Sequence, residues 1–354
     1  MEKDKNQIIE SSVSWYISNR LTYKKLCAKI ESIIIEILEI NKIPFHAITS
    51  RTKEVESYRK KISDEKYDDP IQQITDYSGI RIITYVEDDV KKACEVLENI
   101  FYIDKDRSLD KSKSLGVDKV GYKSVHYICK LKDDRTSLPE YRTYDNLFFE
   151  IQVRTILQHA WAEIEHDRNY KFSGILPEEI SRRFKLVAGS LEIADREFNN
   201  IAKEIDELSS RVAQGTQSGN LDFEINSTSL MEFIKNKFEY LLEQGRSIDF
   251  ESSEIAVSEL TKFGIKYLNE FNDILTEKKI KDVTDYVLFR DNELNTMTGM
   301  IRLILIITDY DKYFSQAYNK KWLKWSGAEH SYDIFKKYDV DWQKINEKYN
   351  VSEY

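Results

Sequence analysis

The chain contains 354 residues, of which 41% are hydrophobic and 32% charged, and its formal net charge at pH 7 is −9. These values are typical of a soluble globular protein that is large enough for two domains. The longest apolar runs, residues 33–35 and 303–307, are far shorter than the roughly 20 residues that cross a bilayer, so a membrane span is excluded. The lack of a basic excess argues against broad nucleic-acid binding.

The N-terminal sequence and the cysteines indicate the compartment. The chain begins with the charged sequence MEKDKNQ and lacks the apolar segment of a signal peptide. Cys27, Cys94 and Cys129 are scattered and do not have the spacing of metal ligands. We therefore expect buried thiols in a reducing environment and a cytoplasmic protein.

Two helices and a short strand are predicted at the beginning of the chain. Apolar residues recur at helical spacing over residues 8–41, with a break near 18–22. The alternating residues 45–49 predict a strand that leads into Arg51 and Lys53.

Helices and strands then alternate. The predicted order is a polar helix at 54–66, a turn at 76–79, a β-branched strand at 80–86, a helix at 89–100, a short strand at 101–103, a charged loop at 104–119 and a strand at 125–131. Arg81 lies within the apolar strand, where an unpaired charge is costly. We expect its partner to be Asp76, Glu150 or a bound phosphate.

Residues 148–167, FFEIQVRTILQHAWAEIEHD, organise the rest of the chain. Glu150, Gln152 and Arg154 alternate with apolar residues, so all three share one face of a strand. A solvated strand face would alternate in the same way. The strand continues without Gly or Pro into a helix at 156–165, which favours a rigidly held site.

The remainder of the chain is predicted to be helical. A long helix is expected at 177–208, and the small polar sequence AQGTQSGN at 213–220 indicates a linker. The predicted organisation is N-terminal helices at 1–42, a mixed domain at 43–210, a linker at 211–225 and a helical region of unknown role at 226–354.

Carboxylates and cations converge on one edge of the predicted sheet. Asp76 and Glu150 come from two different strands and could hold a magnesium ion, Mg²⁺, between them, although Asp76 alone is typical of a turn. The surrounding basic residues are Arg51, Lys53, Lys61, Arg81, Lys123 and Arg154. Tyr122 and His126 lie nearby, and each of them by itself would more often be structural.

Four motifs, in order and spacing, resemble the synthetase domain of the RelA/SpoT alarmone synthetases. They are Arg51-x-Lys53 with Ser57 and Lys61, Asp76-x-x-Gly79-x-Arg81, Gly121-Tyr122-Lys123-Ser124-x-His126, and Glu150-x-Gln152-x-Arg154-Thr155 followed by HAWAEIEHD. The resemblance covers about residues 20–205. It implies an α+β fold with a nucleotidyltransferase-like mixed β-sheet flanked by helices, followed by an all-α C-terminal region. It also implies transfer of pyrophosphate from ATP to the 3′-hydroxyl of GDP or GTP, which makes (p)ppGpp.

The resemblance also implies roles for the motif residues. The donor, ATP, would be bound by Arg51, Lys53, Ser57, Lys61 and Arg81, and the acceptor by Tyr122, Lys123, His126, Gln152 and Arg154. Asp76 and Glu150 would hold Mg²⁺, and Glu150 would also take the proton of the attacking hydroxyl. Arg81 would act on the donor phosphates, Tyr122 would stack on the acceptor base, and Arg154 would support the site.

Departures from the family pattern leave alternatives open. Val120 and Lys123 stand where the family commonly has Asn and Arg, and lysine lacks the bidentate fork of arginine. A toxin-type member that modifies adenine nucleotides or the tRNA 3′ end is one alternative, and a catalytically silent nucleotide-binding module is another. Only about 50 residues precede Arg51, so we expect a small member without a hydrolase domain. The C-terminal helices could serve a homo-oligomer or an antitoxin-like partner.

Overall fold

The computed structural model describes residues 2–64, 67–110, 124–171, 177–289, 295–318, 328–349 and 351. The chain forms two compact units, Met1–Ala202 and Lys203–Tyr354. The boundary therefore lies a few residues before the expected linker at 211–225. Within the described residues, every helix is too short or too polar to cross a membrane.

Helix α1 is one continuous helix, Glu2–Ile40, so the predicted break near 18–22 is wrong. The polar residues there preserve the helix because they bond back to its carbonyls. Ser18 donates to the carbonyl of Ser14 at 3.1 Å, and Asn19 donates to that of Trp15 at 2.8 Å.

A mixed five-stranded sheet forms the centre of the first unit, which confirms the predicted fold class. Its strands are β1 Ala47–Thr52, β2 Ser78–Thr84, β3 Phe101–Asp110, β4 Val125–Leu131 and β5 Phe149–Thr155. The spatial order is β1-β2-β5-β4-β3. Only the β2–β5 pair is parallel among these neighbours, and the other three pairs are antiparallel.

Short helices connect the strands of this unit. They are α2 Val55–Asp64, α3 Pro70–Gln73, α4 Glu87–Ile100, α5 Asp133–Thr136, a 3₁₀ turn at Arg142–Tyr144 and α6 Ile156–Lys171. Asp69 caps α3 by accepting a hydrogen bond from the backbone N–H of Gln72. The next helix, α7, spans Glu178–Ser218 and continues into the second unit.

The two faces of the sheet differ because strand side chains alternate. Ile80, Ile82, Ile151 and Val153 are fully buried in a core that also includes residues of α1 and α4. Burial of such a side chain contributes roughly 1.5–3 kcal/mol. The core fixes the strand register, and it directs the intervening polar residues of β2 and β5 to the opposite face.

Strand β3 extends further than the short strand predicted at 101–103. Its register with β4 shifts between Asp104 and Leu109. The Asp104 carboxylate accepts hydrogen bonds from the backbone N–H groups of Asp106 and Arg107 and pairs with the Arg107 side chain at 2.7 Å. The charged residues assigned to a loop therefore form an irregularity within the strand, and residues 111–123 lie outside the described part of the chain.

Helix α7 runs through most of the expected linker. Gly215 does not break it, because its missing side chain permits close packing: a Cβ there would lie 2.6 Å from both the Asn220 carbonyl oxygen and the Phe223 ring. Gly219, with a φ of 81°, follows the last helical residue. The small residues that resemble a linker are thus explained by packing and by helix termination.

The second unit is built mainly from helices around its own apolar core. Its further elements are α8 Ser227–Lys237, α9 Glu239–Glu243, α10 Ser253–Lys262, α11 Leu268–Ile274, α12 Glu277–Phe289, α13 Met297–Lys312, a π-helical turn Tyr313–Ala317, α14 Ala328–Lys337 and α15 Trp342–Tyr349. A two-residue parallel pair, β6 Ile248–Asp249 and β7 Asn295–Thr296, is the exception to the predicted all-α region. Cys27, Cys94 and Cys129 of the first unit are buried free thiols, as predicted.

Candidate active site

Two lysines converge on Asp76 at the turn before β2. The Lys53 ammonium, directly after β1, lies 2.7 Å from Oδ2 of Asp76, and the Lys61 ammonium in the last turn of α2 lies 3.4 Å from the same oxygen. All three side chains are largely shielded from solvent. Two cations on one carboxylate leave a local positive excess, which suits a phosphate-bearing ligand.

A cluster of aromatic rings holds this turn in place. It comprises Trp15, Tyr16 and Tyr23 of α1, Tyr58 of α2, and Tyr77. The Tyr16 hydroxyl donates to the Lys53 carbonyl at 2.5 Å, and the Lys53 N–H donates to the Tyr77 carbonyl at 2.9 Å. Burial raises the pKa of Tyr16 to about 12, so its hydroxyl remains a donor. Sequence reasoning missed this cluster, although its signal was the recurrence of aromatic residues on one side of α1.

Glu150 is held on β5 by contacts from the neighbouring strand β4. Its Oε1 lies 2.9 Å from Nδ1 of His126 and accepts a hydrogen bond from Gln152 at 3.1 Å. The Ser124 hydroxyl lies 2.8 Å from the other ring nitrogen of His126. Burial by itself raises the pKa of Glu150, but the contacts with His126 and Gln152 and the charge of Lys61 outweigh it and lower the pKa. Glu150 is therefore ionised at neutral pH.

Asp76 and Glu150 face the same lysine. Lys61 pairs directly with Asp76, and its charge lowers the pKa of Glu150. Gly79, three residues after Asp76, is the register partner of Glu150 across the parallel pair. The two carboxylates thus reach the same region from neighbouring strands.

The donor atoms of these carboxylates fit a divalent cation. Oδ1 of Asp76 is buried and has no hydrogen-bond partner within the described residues. The printed contacts of Glu150 use only Oε1, which leaves Oε2 available in the same part of the chain. Those residues contain no group of three or more metal-ligating side chains, so a cation here would need further oxygens from water or a ligand.

Arg51 lies exposed on β1 opposite Gly79. A Cβ on Gly79 would lie 3.9 Å from Cγ and 4.0 Å from Nε of Arg51. The missing side chain of Gly79 therefore leaves the guanidinium open to the polar face of the sheet.

Arg81 has a different partner from those predicted. Its guanidinium lies 2.8 Å from Oε1 of Glu163 on α6, and Asp76 and Glu150 are bound by other residues. The prediction that Arg81 needs an acidic partner is thus confirmed, but both named candidates are wrong.

Arg154 is buried, with 5% of the residue exposed, and donates a hydrogen bond to Oε1 of Gln152. Burial and the nearby charge of Arg81 lower the pKa of Arg154. Its position beneath Gln152 is consistent with the predicted supporting role.

A second buried polar network follows β5. Oδ2 of Asp195 on α7 accepts hydrogen bonds from the Thr155 hydroxyl at 2.8 Å and from Gln158 at 3.2 Å. Burial raises the pKa of Asp195 to about 6. This network ties α7 to the end of the strand that carries Glu150, and the sequence motifs gave no indication of it.

The structure groups most, but not all, of the predicted site residues. The register brings together Arg51, Arg81, His126, Glu150, Gln152 and Arg154 on one face, and Lys53, Lys61 and Asp76 lie at its edge. Ser57 is exposed on α2, and no hydrogen bond joins it to the site within the described residues. Tyr122 and Lys123 lie outside the described residues.

Comparison with known proteins gives one consistent result. The model of a region found in RelA / SpoT proteins matches residues 50–175. GTP pyrophosphokinase YjbM of Bacillus subtilis (strain 168) is 28% identical over 167 residues, which cover 46% of this chain and 75% of that protein. GTP pyrophosphokinase YwaC of the same organism is 28% identical over 169 residues, 46% of this chain and 76% of that protein. The crystal structure of the small alarmone synthetase 1 from Bacillus subtilis matches with a TM-score of 0.47 at 25% identity and covers 55% of this chain and 98% of that one.

Proposed function

Because residues 50–175 form a region of the RelA/SpoT type, we propose that this protein transfers the pyrophosphate group of ATP to the 3′-hydroxyl of GDP or GTP. The product would be the alarmone (p)ppGpp. Both relatives named above are GTP pyrophosphokinases, which supports this reaction class.

The observation that carries the proposal is the ionised carboxylate of Glu150 beside a cationic edge. The contacts of Glu150 with His126 and Gln152 keep its pKa low, although most of the side chain is buried. Lys53 and Lys61 lie at the adjacent carboxylate, Asp76. A proton acceptor next to concentrated positive charge is what an alcohol needs to attack a polyphosphate.

The proposed reaction is a single displacement. The acceptor's 3′-oxygen forms a bond to the β-phosphorus of ATP, the bond from that phosphorus to the α–β bridging oxygen breaks, and AMP leaves. Glu150 takes the proton of the attacking hydroxyl. Lys53, Lys61 and Arg81 offset the charge of the donor phosphates, and Arg51 flanks the donor base.

The acceptor is proposed to lie on the β4 side of the sheet. His126 and Gln152 border Glu150 there and would orient the acceptor nucleotide. Tyr122 and Lys123 would contact its base and phosphates, and Arg154 would support Gln152 from below.

Asp76 and Glu150 are proposed to hold Mg²⁺. Their available oxygens have the hard, anionic character that this ion prefers. When bound there, the ion would add charge compensation for the transferred phosphates.

The test is a transfer assay with two positions of the label. Purified protein and Mg²⁺ are incubated with ATP labelled at either the γ- or the α-phosphate, and with GDP, GTP, unlabelled ATP or bulk tRNA as acceptor. We expect the γ-label to appear in a guanosine nucleotide and the α-label to appear only in AMP. A matched reaction with Glu150→Gln should give no product.

Three other results would contradict the proposal. Labelled tRNA or a labelled adenosine product without a guanosine product would instead indicate a toxin-type acceptor. Guanosine product that carries the α-label would indicate transfer of a different group. Retained nucleotide binding without transfer to any acceptor would indicate a binding module.

A further inference from the structure

Three polar nitrogens are buried without an acceptor near the carboxyl ends of β2 and β5. They are Nε of Arg81, Nε of Arg154 and Nδ1 of His159 in the first turn of α6, and none has a hydrogen-bond partner within the described residues. Buried donors normally find a partner, since an unpaired one costs about 1–3 kcal/mol. Three such nitrogens in one region indicate that an acceptor is missing.

These side chains form one electrostatic cluster. The charges of Arg81 and Arg154 both act on His159, and that of Arg81 also acts on Arg154. The nearest carboxylate is Glu163, at 2.8 Å from Arg81 and 3.9 Å from Nδ1 of His159. Half of the Glu163 side chain is exposed, so this single carboxylate offsets the cations only in part.

The cluster lies away from the carboxylates of the candidate active site. Arg154 is the register partner of Ile83, whereas Glu150 is the register partner of Gly79. Four residues along a strand correspond to about 13 Å. A ligand at Arg154 and His159 would therefore not occupy the place between Asp76 and Glu150.

We propose that Arg81, Arg154 and His159 form a second anion site, which binds a phosphate group in place of Glu163. Arg154 is almost fully buried and supplies a fixed donor at the base of the site. Arg81 and His159 supply further donors from β2 and α6. This inference does not depend on the proposed transfer reaction, because it concerns binding in the absence of nucleotide.

The geometry favours phosphate over a simple halide. Guanidinium groups present paired N–H donors that match the oxygens of a tetrahedral oxyanion, whereas chloride offers no such pattern. A phosphate dianion also offsets more positive charge than the single carboxylate of Glu163. The carboxylate of Glu163 stands in for this ligand and is displaced when phosphate binds.

The test is calorimetric titration of the full chain with inorganic phosphate at constant ionic strength, without nucleotide or divalent cation. Wild type should bind one phosphate in the millimolar range. Glu163→Gln removes the competing carboxylate and should tighten binding about fivefold, and His159→Ala removes a donor and should weaken it about fivefold. Glu165→Gln removes an exposed charge from the same helix and should change the affinity less than about twofold.

The variants separate this site from the lysines near Asp76. Lys61→Gln should leave phosphate affinity within about twofold of wild type. A loss of binding in Lys61→Gln but not in His159→Ala would overturn the proposal, because it would put the phosphate at the active-site edge. Equal effects of Glu163→Gln and Glu165→Gln would do the same, since they would indicate a response to net charge. Absence of saturable binding in both wild type and Glu163→Gln would also overturn it.

A titration with GMP distinguishes two sources of the phosphate group. Binding that depends on His159 and is tighter than that of inorganic phosphate would identify a nucleotide phosphate as the ligand. Binding that depends on His159 and is no tighter would identify free phosphate. Folding of each variant is checked by circular dichroism, and His159 and Glu163 are suitable positions because both side chains are partly exposed.

Discussion

Nδ1 of His126 lies 2.9 Å from Oε1 of Glu150. The contact crosses between β4 and β5, and it occupies one carboxylate oxygen while holding the group in its ionised form. Glu150 is therefore prepared to accept a proton before any substrate binds, which is the property that a general base requires.

Replacement of Glu150 by Gln should abolish this property with little change in shape. We expect kcat for pyrophosphate transfer to fall by about 10²–10⁴, while ATP affinity measured by equilibrium dialysis stays within a few fold. Glu140→Gln, at an exposed position in the same unit, is the matched control and should retain the wild-type rate. A near-normal rate in Glu150→Gln would remove this residue from the mechanism.

Lys61→Gln tests the charge at the edge of the sheet. The change removes a cation that lies 3.4 Å from Asp76, so we expect the KM for ATP to rise by about 5- to 10-fold. Lys60→Gln changes the neighbouring exposed lysine and should alter the KM less than about twofold. Equal effects of both changes in steady-state kinetics would indicate a general response to net charge.

Gly79→Ala should separate folding from donor binding. The new methyl group would meet Arg51 only at ordinary contact distances of 3.9–4.0 Å, so the free energy of unfolding should change by less than about 1 kcal/mol. The same methyl group projects onto the polar face beside Arg51, and we expect the KM for ATP to rise several fold.

Gly215→Ala is the contrasting substitution. Its Cβ would lie 2.6 Å from a backbone oxygen, and a shift of the helix or the loop at 220–223 would be required. We expect a loss of stability of about 1–3 kcal/mol in urea denaturation. A smaller loss than that for Gly79→Ala would show that the packing around Gly215 is less tight than described.

Tyr16→Phe tests how the aromatic cluster positions Lys53. The change removes the donor to the Lys53 carbonyl, so we expect the free energy of unfolding to fall by about 1 kcal/mol. Arg20 also donates to that carbonyl, at 3.3 Å, which limits the loss. Tyr23→Phe is the control, because the Tyr23 hydroxyl has no hydrogen bond within the described residues, and its stability should stay near that of wild type.

Asp195→Asn should change the pH dependence of stability. The folded pKa of Asp195 is about 6, and its unfolded value is near 3.9. Between these values the folded state binds more protons, so the free energy of unfolding falls as the pH rises through this window and stays lowered above it. The asparagine variant avoids this loss, and its advantage over wild type should be about 1–3 kcal/mol larger at pH 8 than at pH 4. An advantage that is equal at both pH values would contradict the assigned pKa.

The polar face of the sheet could be predicted because strand alternation is a local property. The sequence around Glu150, Gln152 and Arg154 requires only a period of two and an apolar face to bury. The structure brings Arg81 and His126 to the same face. The family match over residues 50–175 covers all of these positions.

Contacts that depend on how distant helices return to the sheet could not be predicted in this way. Glu163 reaches Arg81 only because α6 passes beside β2, and Asp195 reaches Thr155 from a helix that begins more than 20 residues later along the chain. Neither contact has a signal in local periodicity or composition. The predicted linker failed for a related reason, since Gly215 is required by a neighbour in space.

The parallel pairing of β2 with β5 has a consequence for biosynthesis. Asp76 and Glu150 are separated by more than 70 residues of chain, and β5 is inserted between β2 and β4. While the ribosome is still translating the segment before β5, the nascent polypeptide has the lysine-rich turn but lacks the central strand and its proton acceptor. Catalytic competence therefore arrives in one late step, when the last strand to be synthesised enters the middle of the sheet.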